Sequence, residues 1–262
     1  GRINWSDTNR VMFGNRRIGC SVSGVAQFIT NRGLKEFRDW LEGGYDTIQD
    51  WDKIYSDWFA IPRSIKTTSV KPSGTVSLLA GATPGLHYPE SRFYTRRIRL
   101  SVNSELVEPL KKAGYKIEPA FGSEDSTLVV EVPVDVGEGI RTASELSIWE
   151  QFSLAAFLQR HWADNQVSCT VTFDPEKEGD EIPFVLNYFQ YHLKGISLLP
   201  RHDYGAYPQM PYEAIEEKEY NKQVKKLGKL TFGVIHNEEA EVDKFCNNDS
   251  CEIPGEDLTS EN

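Results

Sequence analysis

The residues most able to bind an anion lie in the segment 69–77. Within it, hydroxyl side chains flank a glycine: Ser73, Gly74, Thr75 and Ser77. The segment follows a β-branched run over 61–70, so it predicts a strand that ends in a tight turn with several backbone N–H groups available. If a helix begins there, those groups and the helix dipole favour a phosphate. An ordinary helix-capping turn has the same spacing and, on spacing alone, is the commoner structure.

A second pair of residues that could take part in chemistry is Cys246 and Cys251, which four polar residues separate. Three interpretations of the pair are open. The thiols could supply half of a zinc site, for which His236 is the one nearby histidine. They could be idle, or they could form a dithiol that exchanges disulfides with another site. The acidic surroundings are expected to raise thiol pKa values, which argues mildly against a strongly nucleophilic cysteine.

Helix-like and strand-like patterns alternate along the chain, and this alternation predicts an α/β fold with a parallel sheet. Apolar residues at helical spacing predict two helices between 22 and 58, with Gly43 and Gly44 ending the first. Thr142 and Glu145 match a capping box for a helix over 146–162. The other predicted elements are strands at 96–100, 127–133, 166–173 and 196–199 and short helices at 104–112 and 184–193.

Some residues with chemically active side chains have simpler interpretations. The arginines of the strand 96–100 are expected to be solvated at a sheet edge rather than bound to an anion. Cys20 and Cys169 lie in apolar or β-branched surroundings and are expected to be small buried residues without chemistry. His87 follows the Gly85 turn, and the sequence assigns it no role.

The composition describes a globular, acidic chain. Of the 262 residues, 39% are hydrophobic, and the net charge is −10. Nine acidic residues and one lysine fall within 238–262, so this tail carries −8 of that charge and is expected to be flexible. An acidic chain is a poor candidate for binding a nucleic-acid backbone. No apolar run approaches the ~18 residues of a transmembrane helix, so no membrane association is expected.

The run Thr67–His87, which contains Pro72-Ser73-Gly74-Thr75-Val76-Ser77, resembles the substrate-phosphate loop of ribonucleotide reductases. More narrowly, the chain resembles the monomeric, adenosylcobalamin-dependent (class II) ribonucleoside-triphosphate reductases. Further stretches agree with that family in the same order: 15–25, 162–168, 194–200 and 246–251. The resemblance therefore covers nearly the whole chain.

The resemblance implies a fold and a division of the chain. Residues 1–237 would be the later part of a ten-stranded α/β barrel of the ribonucleotide reductase type, and residues 238–262 a flexible acidic tail with a redox cysteine pair. The sequence begins at Gly1 without an initiator methionine. It is therefore interpreted as part of a longer protein, whose radical-bearing cysteine would lie upstream.

The resemblance also implies a reaction. The full enzyme would use adenosylcobalamin to start a thiyl-radical reduction of ribonucleoside triphosphates to deoxyribonucleotides for DNA synthesis. Residues Pro72 to Ser77 would bind the substrate phosphates. Cys246 and Cys251 would re-reduce an active-site disulfide and be reduced by thioredoxin. The resemblance further implies a cytoplasmic monomer, and no metal site is expected in this chain. The alternative is a non-catalytic nucleotide- or phosphate-binding module with a redox-sensing tail.

Overall fold

The computed structural model describes residues 5–74, 76–201 and 208–231. Thr75, Cys246, Cys251 and the predicted tail 238–262 lie outside the described residues. The chain divides into two compact units. The first unit comprises the described parts of Gly1–Tyr88 and Ala143–His202, and the second those of Pro89–Thr142 and Asp203–Asn262. The α/β class predicted from the sequence is confirmed.

The strands are, in chain order, β1 (Cys20–Ser21), β2 (Thr68–Ser69), β3 (Phe93–Ser101), β4 (Lys116–Pro119), β5 (Thr127–Asp135), β6 (Thr170–Phe173), β7 (Ser197–Pro200) and β8 (Tyr212–Ala214). The α-helices are α1 (Ser6–Asn15), α2 (Val25–Phe59), α3 (Val76–Leu79), α4 (Val107–Lys112), α5 (Ile148–His161), α6 (Pro175–Glu178), α7 (Ile182–Phe189) and α8 (Glu217–Val224). None of the helices in the described ranges is long and apolar enough to span a bilayer.

The first unit contains parallel strands, as the sequence predicts. Strand β1 pairs with β2, and β6 pairs with β7, both in parallel. A single parallel bridge between Val70 and Val167 joins the two pairs. The strands are therefore neighbours in the order β1, β2, β6, β7, although β1 and β2 have only two residues each.

Helices α2, α5 and α7 cover these strands with an apolar core. Phe152, Leu158, Val167, Val171 and Val185 are each at most 1% exposed and belong to one hydrophobic cluster. Burying large side chains of this kind stabilises the fold by roughly 1.5–3 kcal/mol each. The interpretation of Cys169 as a buried residue is confirmed. For Cys20 it is wrong: β1 pairs only with β2 among the described strands, which leaves Cys20 exposed.

Two predicted helix boundaries are wrong. Helix α2 continues through Gly43 and Gly44, and its one non-helical residue is Gly33, with φ 83° and ψ 162°. Burial of Phe37 and Leu41 outweighs the cost of about 1 kcal/mol that each glycine adds to a helix. The capping box of α5 uses Ser147 and Glu150, whose side chains bond to each other's backbone N–H. The predicted capping pair fails because the turn at Ala143–Glu145 is a separate 3-10 helix.

The second unit is an antiparallel sheet with the order β4-β5-β3-β8. The parallel arrangement predicted for its strands is wrong. The short segment 120–126 joins β4 to its neighbour β5. So short a connection favours antiparallel neighbours, because a parallel crossover requires a dozen or more residues.

The arginines of β3 are buried, so the prediction that they are solvated is wrong. Arg96 is 1% exposed and Arg99 is 7% exposed. The guanidinium of Arg96 lies 4.5 Å from the ring centroid of Tyr212 and donates to the carbonyl oxygens of Arg97 and Pro211. These partners compensate the cation for the water it loses on burial.

Candidate phosphate-binding site

The predicted anion-binding turn lies between β2 and α3, as the strand–turn–helix pattern predicts. The strand is shorter than the predicted 61–70, because ladder pairing is limited to Thr68–Ser69 and the bridge at Val70. Helix α3 has four residues. A helix of one turn contributes little dipole, so an anion here would depend on backbone N–H groups and hydroxyls.

Ser73 is the centre of the turn. Its backbone has a positive φ of 55°, a conformation unusual for a residue with a side chain. Its Oγ accepts a hydrogen bond of 2.9 Å from Gly85 N and lies 2.6 Å from Ser23 Oγ. The carbonyl of Ser73 accepts from both N and Oγ of Ser77, at 3.0 and 2.5 Å. These bonds fix the turn from both sides.

Gly85 brings the returning chain against the start of the turn. A Cβ on Gly85 would lie 2.5 Å from the carbonyl oxygen of Lys71 and 3.2 Å from that of Pro72. Its φ is +49°, which also disfavours a side chain. Gly81 has a similar φ of +63°, but an added Cβ there would meet nothing within 4 Å. The tight approach at Gly85 is therefore a packing requirement that Gly81 does not share.

The first turn of α2 holds the returning segment 81–85. Gly24 N donates to Thr83 O at 2.8 Å. The Gln27 side chain donates to Gly81 O at 3.0 Å and accepts from Thr83 N at 2.9 Å. The motif around Gly24 and the phosphate-loop motif, which are 50 residues apart in sequence, thus form one local structure.

The predicted substrate-binding residues differ in exposure. Pro72, Gly74 and Ser77 are buried, Ser73 is half-buried, and Val76 is 69% exposed. Because the Ser77 hydroxyl already donates to Ser73 O, Ser73 carries the more available hydroxyl of the two. Because Ser77 N also donates to Ser73 O, the other backbone N–H groups of the turn would supply most contacts to a phosphate.

Asp164 anchors the strand that leads into the turn. Its Oδ2 accepts from N and Oγ1 of Thr67, at 3.0 and 3.1 Å, and its Oδ1 accepts from Tyr45 OH at 3.0 Å. Burial, and then the hydrogen bond to Asp164, raise the pKa of the Tyr45 hydroxyl above its ordinary value. Gln49 completes the set by donating to Thr67 Oγ1 at 2.7 Å.

The neighbours of Asp164 hold the same strand. Trp162 Nε1 donates to Ser69 O at 2.9 Å, and Trp162 O accepts from Thr68 Oγ1. Asn165 Nδ2 donates to Thr68 O at 2.7 Å and to Ile18 O at 2.9 Å. Side chains of the 162–168 motif therefore fix β2 against the segment that leads into β1.

Sequence reasoning did not identify Tyr45 and Gln49 as partners in this network. The available signal was the pair Thr67-Thr68 within the predicted strand. The structure leaves both residues 0% exposed, and buried hydroxyls need hydrogen-bond partners. His87 has a related positioning role, since its Nε2 accepts from Thr170 N, at the start of β6, at 3.1 Å. Over the described ranges, no three His, Cys, Asp or Glu side chains are grouped to hold a metal ion.

Comparison with known proteins identifies relatives whose sequences are similar to most of this chain. No protein-family profile matches it. The adenosylcobalamin-dependent ribonucleoside-triphosphate reductase of Euglena gracilis is 54% identical over 254 residues, which cover 95% of this chain and 35% of the reductase. A probable reductase of the same name from Dictyostelium discoideum is 54% identical over 97% of the chain. The Levilactobacillus brevis reductase is 35% identical over 85% of the chain.

A solved structure agrees with these relatives. A crystal structure of a B12-dependent (class II) ribonucleotide reductase superposes with a TM-score of 0.76 at 33% identity, covering 87% of this chain and 35% of that protein. The chain is thus homologous to the adenosylcobalamin-dependent ribonucleoside-triphosphate reductases in sequence and in fold. It spans about a third of the length of the relatives it matches.

Proposed function

We propose that this chain is the C-terminal part of an adenosylcobalamin-dependent enzyme that reduces ribonucleoside triphosphates to 2′-deoxyribonucleoside triphosphates for DNA synthesis. Homology over nearly the whole chain supports the assignment. In this proposal residues 1–237 form the later part of a ten-stranded α/β barrel. The cytoplasmic location, the monomeric state and thioredoxin as reductant are further parts of the same proposal.

The observation that carries the proposed role of the loop is the folded turn at Ser73. The turn follows β2, and ligands of parallel α/β sheets bind beyond the carboxyl ends of strands. Ser73 Oγ accepts the N–H of Gly85, so its own proton is available to Ser23 or to a phosphate oxygen. We infer that the substrate phosphates lie against the backbone of residues 73–77.

Adenosylcobalamin would supply the radical that begins the reaction. We assign none of the described residues to this cofactor. The chain's own contribution is to hold the triphosphate so that the ribose has one orientation. The 2′ hydroxyl then leaves as water, while two thiols of the enzyme are oxidised to a disulfide.

Cys246 and Cys251 would return that disulfide to two thiols. Replacing both with serine in the full-length enzyme should leave the first turnover of the reduced enzyme intact and abolish repeated turnover with thioredoxin. A small dithiol should restore part of the rate, because it can reach the buried disulfide directly. Equal rates with the two reductants would contradict the relay.

The loop is tested by Gly85→Ala and Gly81→Ala in the full-length enzyme. Both changes place a side chain at a positive φ, but only the first forces a Cβ against Lys71 O. Gly85→Ala should therefore raise the dissociation constant for the nucleotide about tenfold or more, while Gly81→Ala should change it little.

Gly74→Val, which crowds the approach of a phosphate to the backbone, should cost on the order of 2–4 kcal/mol of binding free energy through lost charge-assisted hydrogen bonds. Unchanged nucleotide affinity in Gly74→Val and Gly85→Ala would remove the loop from the site.

A further inference from the structure

A cavity of the first unit lies beyond the amino ends of the parallel strands. It is a groove with a volume of about 670 Å³, which is within the range of small-molecule sites. Lys66 and Lys194 both line it. Lys66 directly precedes Thr67-Thr68, and Lys194 comes three residues before β7, whereas the Ser73 turn follows the carboxyl end of β2. The groove and the turn are therefore at opposite ends of the strands.

Three cations line the groove: Lys66, Arg160 and Lys194. His161 and His192 line it as well. Within the described ranges, neither lysine nor Arg160 forms an ion pair with a carboxylate, while His161 bonds to Glu42 at 2.8 Å. Asp164 also lines the groove, but its carboxylate oxygens already accept from Tyr45 and Thr67, as described above. Among the described residues, Lys194 Nζ donates to the Asp164 carbonyl oxygen alone.

The cations repel one another. The pKa of Lys194 is lowered chiefly by partial burial and then by the positive charge of Lys66. Asp164 offsets part of this effect, and Arg17 adds to it. In a chain with a net charge of −10, such a concentration of unpaired positive charge is unusual. Bound negative charge would remove the repulsion.

Aromatic rings form another wall of the groove. Tyr188 and Tyr191 line it, and Tyr191 is 89% exposed. The rings of Tyr188 and His192 are stacked with centroids 6.3 Å apart. Exposed aromatic faces beside cations provide surfaces on which a planar ring of a ligand can stack.

We propose that this groove binds an anion carrying two or more phosphate groups, held by Lys66 and Lys194 with Arg160 at the rim. Two lysines spaced around one cavity match a chain of phosphates better than a single carboxylate. The phosphates could belong to free polyphosphate or to a nucleotide. In the nucleotide case the base would stack on Tyr191.

The test measures binding of inorganic triphosphate to the full-length protein by calorimetry, in the Gly85→Ala background, so that the Ser73 loop is weakened and contributes equally in every variant compared. Lys66→Gln with Lys194→Gln should weaken binding at least about tenfold, since charge-assisted hydrogen bonds are lost. Lys35→Gln, which removes one exposed lysine of α2, is the matched control and should leave the affinity unchanged. Lys66→Arg with Lys194→Arg should retain binding and thereby exclude misfolding as the cause.

A comparison of ligands identifies the source of the phosphates. Tighter binding of a nucleoside triphosphate than of inorganic triphosphate, with the advantage lost in Tyr191→Ala, indicates a nucleotide. Equal affinity for the two indicates that the polyphosphate alone is recognised. Triphosphate binding that is the same with and without the two glutamine substitutions, or no binding at all, would overturn the proposal.

Discussion

The two units stabilise their strands in different ways. In the second unit, β3 and β5 pair over nine residues each, from Phe93 opposite Asp135 to Ser101 opposite Thr127. In the first unit, β1 and β2 pair over two residues, and side chains add to the few further backbone bonds that hold them, such as Asn165 N to Thr68 O at 2.9 Å. Thr67 and Thr68 bond to residues of the 162–165 segment, and Trp162 and Asn165 donate to the backbone of β2.

The polar interiors differ as well. In the second unit, Arg97 lies between Glu131 and Glu213, and Lys116 bonds to Glu131 at 3.0 Å. Burial acts to lower the pKa of Arg97, but its hydrogen bonds to the two glutamates outweigh this and raise the pKa above its ordinary value. The first unit uses mostly neutral donors around the Asp164 carboxylate. The comparison indicates that the candidate site is built where few backbone bonds fix the strand, so single side chains determine its geometry.

The largest effect is expected in the charged network of the second unit. Arg97→Met should lower the free energy of unfolding by about 3 kcal/mol, because Glu131, 9% exposed, would lose one of its two cationic partners while remaining buried. Urea unfolding measures the loss. Arg92→Met is the matched control, since its ion pairs to Asp135 and Glu138 are more exposed. If both variants lost the same free energy of unfolding, the burial of the Arg97 ion pairs would not explain the loss.

An intermediate effect is expected at Asp164. Asp164→Asn keeps the shape of the side chain but replaces one acceptor oxygen with a donor, so Thr67 or Tyr45 loses its partner. The expected loss is about 2 kcal/mol, the cost of an orphaned buried donor. Tyr45→Phe, which removes one bond and leaves no orphaned donor in the protein, should cost about 1 kcal/mol. If Asp164 were a solvated surface residue, Asp164→Asn would cost less free energy of unfolding than Tyr45→Phe, as measured in urea.

The smallest effect is a pH dependence that begins earlier in the first unit than in the second. Burial raises the pKa of the Cys169 thiol from 9.0 to about 12, and the pKa of Tyr94, in the second unit, from 10.0 to about 12. The folded state therefore keeps each proton to a higher pH than the unfolded state does. The stability that each group contributes is complete below its unfolded pKa and is lost as the pH rises from there towards its folded pKa.

Between pH 8 and 10 the loss from Cys169 should be about 1.4 kcal/mol, the value for one pKa unit. Cys169→Val, which cannot ionise, should remove this part of the dependence in unfolding measured at pH 8 and pH 10. An unchanged pH profile in Cys169→Val would show that the thiol ionises equally in the folded and unfolded states.

The sequence predicted local elements better than their pairing. The strand–turn–helix order around Ser73 and the burial of Cys169 follow from residue types. The antiparallel pairing of β3 with β5 and the burial of Arg96 do not, because they depend on partners distant in sequence such as Tyr212. The support of β2 by Tyr45 and Asp164 joins residues 119 positions apart, and no local pattern encodes that contact.

The break at Gly33 divides α2 into two helical segments, here called its first and second parts. The first eight residues carry Gln27, which holds the returning segment, while the longer second part carries Tyr45 and Gln49 beneath β2. Because Gly33 interrupts the helical dihedrals, the rotational phase of one part does not fix that of the other. A one-residue insertion between 28 and 32 would turn Gln27 by about 100° relative to the residues that lead into Gly33. The second part would keep Tyr45 and Gln49 in register with β2, so a length change in this short region would act on one support of the turn and spare the other.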